Sequence, residues 1–361
     1  MTQFIQLHYL TTYPPSNPNR DDQGQPKTAV YGGIPRLRIS SQSLKRAVRF
    51  SDVMRTSLEG NLGDRTRKIG ELIIEHLKNL GSDEDQAFKI AEKISEVFGK
   101  VDEKAKKDEK KGKKIRIRQL AFISPEEKQV CFEMAEKIYR GEEEIKNLDS
   151  KLILRKADGA IDIAMFGRML ADQPEYNRDS SVQVSHAITT HKAIVEDDYF
   201  TAADDLKLPS EGDDMGAGFV GESGFGSGVF YLYACVNYDL LVSNLDGDKE
   251  LASKAISALI EALAVSTPSG KRNSYSHHTL ASYIRAETGN AQPRSLASAF
   301  LHPVKGENLM LNSITKLEEQ SDKFDKCYGK LVDSYQTMDV EKGTGSIKEI
   351  KSFVIEQLKN G

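Results

Sequence analysis

The chain has 361 residues, 29% of them charged and 39% hydrophobic, with a formal net charge of -4. That suits a soluble globular protein with a large core and room for two or three domains, and excludes fibrous or wholly disordered chains. Cys131, Cys235 and Cys327 lie far apart, which argues against a disulfide ladder or a Cys-x-x-Cys zinc site and for a reducing, cytoplasmic setting. No apolar run is long enough for a bilayer, and Met1-Thr-Gln-Phe-Ile5 lacks a basic leader, so no membrane partner is expected. Tryptophan is absent, which leaves aromatic contacts to Tyr and Phe.

In chain order, Phe4 to Thr11 reads as a strand, followed by a loop rich in Pro, Asn and Asp from Tyr13 to Gly33. Arg36, Arg38 and Ser40 alternate with Leu37 and Ile39, which predicts a strand with one polar face. From Leu58 to Lys156 the pattern is helical and highly charged. Arg67 to Leu80 and Glu84 to Phe98 carry apolar residues at three- and four-residue spacing. Lys104 to Lys114, with seven lysines, reads as a solvated linker. Strand-like character returns at Ile161 to Leu170, Ser181 to Thr190 and Gly228 to Leu241. A helix over Glu250 to Val265 and a strand over Ser274 to Arg285 follow, then a helical tail broken at Gly343-Thr-Gly345. With the helical block treated as an insertion, the order strand-helix-strand-strand-helix-strand predicts an α+β, ferredoxin-like fold. The predicted palm is discontinuous (1–57 and 158–361), with helical fingers at 58–157 and a long acidic, glycine-containing loop at 192–228. That loop exceeds ordinary loop lengths, so it is either functional or disordered.

The strongest chemical signal lies between Gln23 and Ser51, which contains no acid but carries Lys27, Arg36, Arg38, Lys45, Arg46 and Arg49. Ser40 or Ser41 is placed to cap a helix starting near Gln42. Free first-turn amides at such a start form an anion site. Lys45 and Arg49, four apart, share a helix face. The nearest acids in sequence are Asp22 and Asp52, so local partners are missing and phosphate is the expected ligand.

Six motifs then occur in one order: Asn19-Arg-Asp-Asp22, Tyr31-Gly-Gly33, Arg38-Ile-Ser-Ser-Gln-Ser-Leu-Lys-Arg46, Asp162-Ile-Ala-Met-Phe-Gly-Arg-Met169, Ser185-His-Ala-Ile-Thr-Thr-His191 and Tyr199-Phe-Thr-Ala-Ala-Asp-Asp-Leu206. Together they resemble the CasC family, the CRISPR-associated backbone subunit of the type I-E Cascade complex, over residues 1 to about 285. The resemblance implies an RRM-like palm, helical fingers and a thumb loop. It also implies polymerisation of copies along one CRISPR RNA into a helical, usually hexameric, backbone. The partners would be CRISPR RNA (crRNA), target DNA through the guide, copies of the same chain and other Cascade subunits, with no cofactor or metal. By the same resemblance Arg20, Lys27, Arg38, Ser40, Gln42, Lys45, Arg46 and Arg49 would contact the guide backbone. Arg168 and Met169 would lie at a kink, and Tyr199, Phe200 and Thr201 in the thumb.

The residue chemistry bears on these roles. Guide binding that ignores sequence uses phosphates and 2′-hydroxyls, for which Lys, Arg, Ser and Gln are suited. Met169 is either an apolar wedge between bases or plain core packing. Tyr199 and Phe200 either stack on bases or staple the loop to the palm. The thumb acids Glu196, Asp197, Asp198, Asp204 and Asp205 would repel phosphate and are expected to meet the basic face of the next copy. Gly270-Lys-Arg272 is either a nucleic-acid contact or a solvated turn. Two other functions are weighed. Asp21 and Asp22 beside Arg20 could hold a metal for RNA cleavage, an RRM-like ribonuclease subunit, although their setting matches the non-cutting family and no activity is expected. Tyr231 and Tyr233, two apart on a strand, either form an RRM-type base-stacking platform or pack under a helix. His186 with His191, and His277 with His278, are not spaced as metal pairs.

Overall fold

A computed structural model describes residues 2–106, 114–145, 148–202 and 219–360. The elements in order are β1 (Phe4–Ser16), β2 (Thr28–Tyr31), β3 (Ile34–Ile39), α1 (Ser41–Arg49), α2 (Asp52–Ser57), β4 (Asp64–Thr66), α3 (Ile69–Asn79), α4 (Glu84–Ser95), α5 (Glu103–Lys106), β5 (Ala121–Ile123) and α6 (Pro125–Tyr139). They continue with α7 (Ser150–Ile153), α8 (Ile161–Phe166), β6 (Val182–Val184), β7 (Ala187–Thr189), β8 (Glu196–Ala202), β9 (Phe219–Asn237), α9 (Tyr238–Asn244), α10 (Lys249–Val265), α11 (Arg272–Tyr275), β10 (Ala281–Gly289), α12 (Leu309–Tyr328), β11 (Ser334–Asp339) and α13 (Ile347–Asn360).

Among the described residues, nine strands form one antiparallel sheet whose main path runs β11-β10-β1-β9-β7-β3-β2, with β6 and β8 also paired to β9. β1 is central because Ile5, Leu7 and Tyr9 alternate with Gln6, His8 and Leu10, and both faces of the strand are covered. One face packs on α1, α2, α10 and α13 through residues such as Leu44, Met54, Ile256 and Val354. The other face, carrying Leu10, Tyr231 and Tyr283, is closed by Leu296, Phe300 and α12. A second apolar cluster holds α3, α4 and α6 together and runs from Ile69 to Leu170 and Tyr176.

Several expectations need correction. Ile161 to Leu170 is the short helix α8 followed by a turn, because a short apolar run has no periodicity to separate helix from strand. β1 extends through Pro14-Pro15 to Ser16 and β2 pairs with β3, so the region between Tyr13 and Gly33 is partly sheet. β9 stops at Asn237, whose side chain caps α9, and β10 begins only at Ala281. The tail contains a strand, β11, that pairs with β10. The acidic stretch expected to be a loop begins and ends as a β8–β9 ribbon. Asp204 and Asp205 and most of the Lys104–Lys114 run (107–113) lie outside the described residues. No described helix is long and apolar enough to cross a membrane.

Candidate nucleic-acid interface

The start of α1 forms as its sequence predicts. Ser40 is the N-cap, and its Oγ accepts from the Ser43 amide at 3.4 Å. Its own amide donates to Asn19 Oδ1 at 2.8 Å, which ties the Asn19–Asp22 loop to the helix start. The first turn carries no acid, and Arg46 and Arg49 lie in the last turn, where cations complement the helix dipole.

Helix α1 is a ridge between two open grooves, with Ser43, Arg46 and Phe50 lining both. The smaller groove, about 1030 Å³, is bounded by the loop carrying Arg20, Asp21 and Asp22 and by Val265 to Gly270 and Arg272. Its cations and acids are mixed. The larger, about 1300 Å³, runs between α1 and the two-stranded β4–β5 sheet and ends at Met169. It brings Gln42, Lys45, Arg46, Arg49 and Met169 together. Its acids are Asp64, paired with Lys128 at 2.8 Å, and Asp162, paired with Arg49 at 2.9 Å. Lys45, Arg46, Arg55, Arg65 and Lys68 line this groove with no carboxylate partner among the described residues. Lys45 stands over the Phe166 ring, and burial lowers its ammonium below the ordinary lysine range. A phosphate there offsets part of that desolvation.

The other predicted contacts are spread more widely. Lys27 and Arg38 line a separate narrow cleft with Asn19 and Gly226. Arg38 donates to His186 Nδ1 at 3.0 Å, so that nitrogen accepts. Burial, then Arg38 and Lys27, hold the imidazole below its usual value. Tyr199, Phe200 and Thr201 sit on β8 opposite Glu222, Gly221 and Val220, away from both grooves. Alternation puts Tyr199 and Thr201 on one face of the ribbon and Phe200 on the other. Tyr199 is 64% exposed.

Three readings of cations are corrected. Arg36 is fully buried and donates to the carbonyls of Thr189 and Phe300 at 3.0 and 2.8 Å, so it is a core residue. Arg49 does have a partner, Asp162, although 113 residues separate them. Burial pushes the Asp162 carboxyl up, and Arg49 and the Gly63 amide pull against that. Arg168 borders the groove but does not offer its charge to it. Its side chain is 0% exposed and ends on Glu127 at 2.6 Å, with further bonds to the carbonyls of Arg155 and Tyr176. What Arg168 does is hold its neighbour: α8 stops at Gly167 (φ 80°), and Arg168 and Arg178 exchange backbone bonds of 3.0 and 2.9 Å. On the other side the Leu170 amide donates to Asn177. Met169, fixed from both sides, is 77% exposed, so it is not core packing.

Sequence reasoning missed Glu127, Asp162 and Phe50. Ser124-Pro-Glu-Glu127 is a capping box, visible from its spacing, and both of its bonds form. Phe50 stands four residues after Arg46, the spacing at which helical side chains meet. Tyr231 and Tyr233 offer no platform: Tyr231 is buried and accepts from the Leu296 amide, while the Tyr233 hydroxyl donates to Gln6. The Asp21 carboxylate accepts from the amides of Gln23 and Gln25, each at 2.9 Å, and so shapes its own loop.

The sequence profile described as CT1975-like protein matches residues 5–360. No match is found among curated proteins. Among solved structures, the chain is similar to a chain of a CRISPR RNA-guided surveillance complex, pre-nicking, with TM-score 0.83, 30% identity and 98% of each chain covered. A chain of a second CRISPR RNA-guided surveillance complex matches with TM-score 0.72 and 26% identity, over 98% of this chain and 99% of that one. The resemblance drawn from the six motifs is borne out by these likenesses.

Proposed function

The chain belongs to the CT1975-like family, and from that premise we propose that it is a subunit of a CRISPR surveillance complex that binds and displays the guide. More finely, we infer a non-catalytic, crRNA-binding backbone subunit of a type I-E Cascade that oligomerises along the guide and leaves it free to pair with target DNA in antiviral defence. The observation that carries this reading is the larger groove, where cations on α1 and the β4–β5 sheet without a carboxylate partner among the described residues lie beside an exposed Met169. Phosphates held by Lys and Arg bind any sequence, as a guide holder requires, and an apolar wedge at the groove's end suits a kink between bases. The core strand order β10-β1-β9-β7, antiparallel throughout and with α10 between β9 and β10, supports a ferredoxin-like palm. Tyr199, Phe200 and Thr201 fit a thumb that reaches a neighbouring copy, because they stand on a ribbon away from the chain's own grooves.

The role is non-catalytic in this reading, and the two amides from which Asp21 Oδ1 accepts give that carboxylate a task in shaping its own loop. Co-expression with a CRISPR array and its processing nuclease tests the proposal. A large assembly carrying CRISPR RNA, with several protein copies per RNA, is expected. A nucleic-acid-free monomer from that co-expression overturns it. Asp21→Ala should leave a guide-paired RNA as intact as the unaltered complex does; a difference in cleavage would restore the ribonuclease reading.

A further inference from the structure

We propose that Phe50, framed by Arg46 and Arg55, is a stacking platform for one unpaired nucleobase of single-stranded RNA, an assignment that rests on the RNA-binding reading above. Phe50 follows the last turn of α1 and is 46% exposed where the two grooves meet. An exposed aromatic by itself is ordinary. This one is distinguished by its surroundings. The guanidinium carbons of Arg46, Arg49 and Arg55 lie 4.7, 5.5 and 5.0 Å from its ring centroid.

Each of these contacts is favourable taken singly. Three like charges around one ring also repel each other, and among the described residues only Arg49 has a carboxylate, Asp162. The cluster therefore lacks a counter-anion at Arg46 and Arg55, both exposed. A nucleotide supplies what is missing on both counts. Its base offers a flat face for the ring or for a guanidinium lying on it, and its phosphates are natural partners for the two free arginines. A carboxylate would answer the charge but leave the ring in water. Because every base has a π-face, such a platform reads no sequence. Its place on the ridge lets a base rest on Phe50 while the strand's phosphates lie in the grooves.

The test uses the assembled complex, carried on guides with a single 2-aminopurine at successive positions. The unaltered protein should quench fluorescence at a repeating set of positions. Phe50→Ala and Phe50→Leu should each relieve that quenching several-fold at the same set, with RNA content and assembly size unchanged. Phe50→Tyr, which keeps the ring, should quench as before. Quenching that survives Phe50→Leu overturns the platform while leaving RNA coating intact. An unaltered complex without RNA overturns both readings.

Discussion

On α1, Arg46 reaches into open grooves and meets no carboxylate among the described residues, whereas Arg168 and Arg178 behind Met169 are sealed from water and end on Glu127 and Asp158. Both regions are rich in arginine, and a charge count treats them alike. The difference is in what desolvation demands. A buried guanidinium needs its anion present in the folded chain, or the fold loses far more than it gains. An exposed one in a concave groove keeps its charge available, and an arriving phosphate completes it. One set therefore holds the architecture that displays Met169, and the other keeps its charge at the groove surface.

Three experiments would break or sharpen that contrast. The largest effect is expected from Glu127→Ala, which strands Arg168 in the interior and should cost about 3–5 kcal/mol of stability. A denaturant midpoint close to that of the unaltered chain would mean the pair is not structural. Next comes Arg49→Ala, which sits between the two classes. It leaves the buried Asp162 carboxyl short of a partner and should destabilise by on the order of 1–3 kcal/mol. Lys45→Ala and Arg46→Ala, by contrast, should each shift stability by less than about 0.5 kcal/mol. Each should lower the slope of log affinity for RNA against log salt by about 1. If Arg49→Ala behaves like Arg46→Ala in both measurements, the division between structural and binding cations fails at α1.

The smallest effect is a pH dependence to which the interior contributes. Burial holds the imidazoles of His8 and His277 below their ordinary 6.5. The unfolded chain then takes up protons that the folded chain refuses. Their contribution is therefore fully present above about pH 6.5 and is lost as pH falls below it. Thermal midpoints should drop on that side, and His8→Gln should flatten part of the slope. A midpoint that rises on acidification would reverse the assignment of neutral buried histidines.

Much of α1 was legible because its determinants are local: a capping serine, apolar residues at helical spacing and a run of cations. The helices α3, α4 and α10 were legible for the same reason. What escaped was set by distance along the chain. Nothing near Arg49 announces Asp162, and nothing near Arg168 announces Glu127, 41 residues earlier. Arg36 reads as one more groove cation until the sheet and Phe300 close over it. The short segment Ile161–Phe166 has no period long enough to declare itself helical. The edge strand β11, half polar and set between two helices, gives no alternation strong enough to stand out from them.

The sheet gives the reason for the alternating glycines of β9. Gly224, Gly226 and Gly228 are alternate residues, so their missing side chains fall on one face. A Cβ at Gly226 would stand 2.7 Å from the Leu37 side chain, one at Gly228 2.6 Å from the His191 ring, and one at Gly224 would strike Gln25. Loss or gain of a single residue here would turn that bare stripe to the opposite face and bring side chains against Gln25, Leu37 and His191. Between Gly224 and Gly228 the chain can therefore change length without inverting the stripe only in steps of two, so its register there is quantised by the pleat.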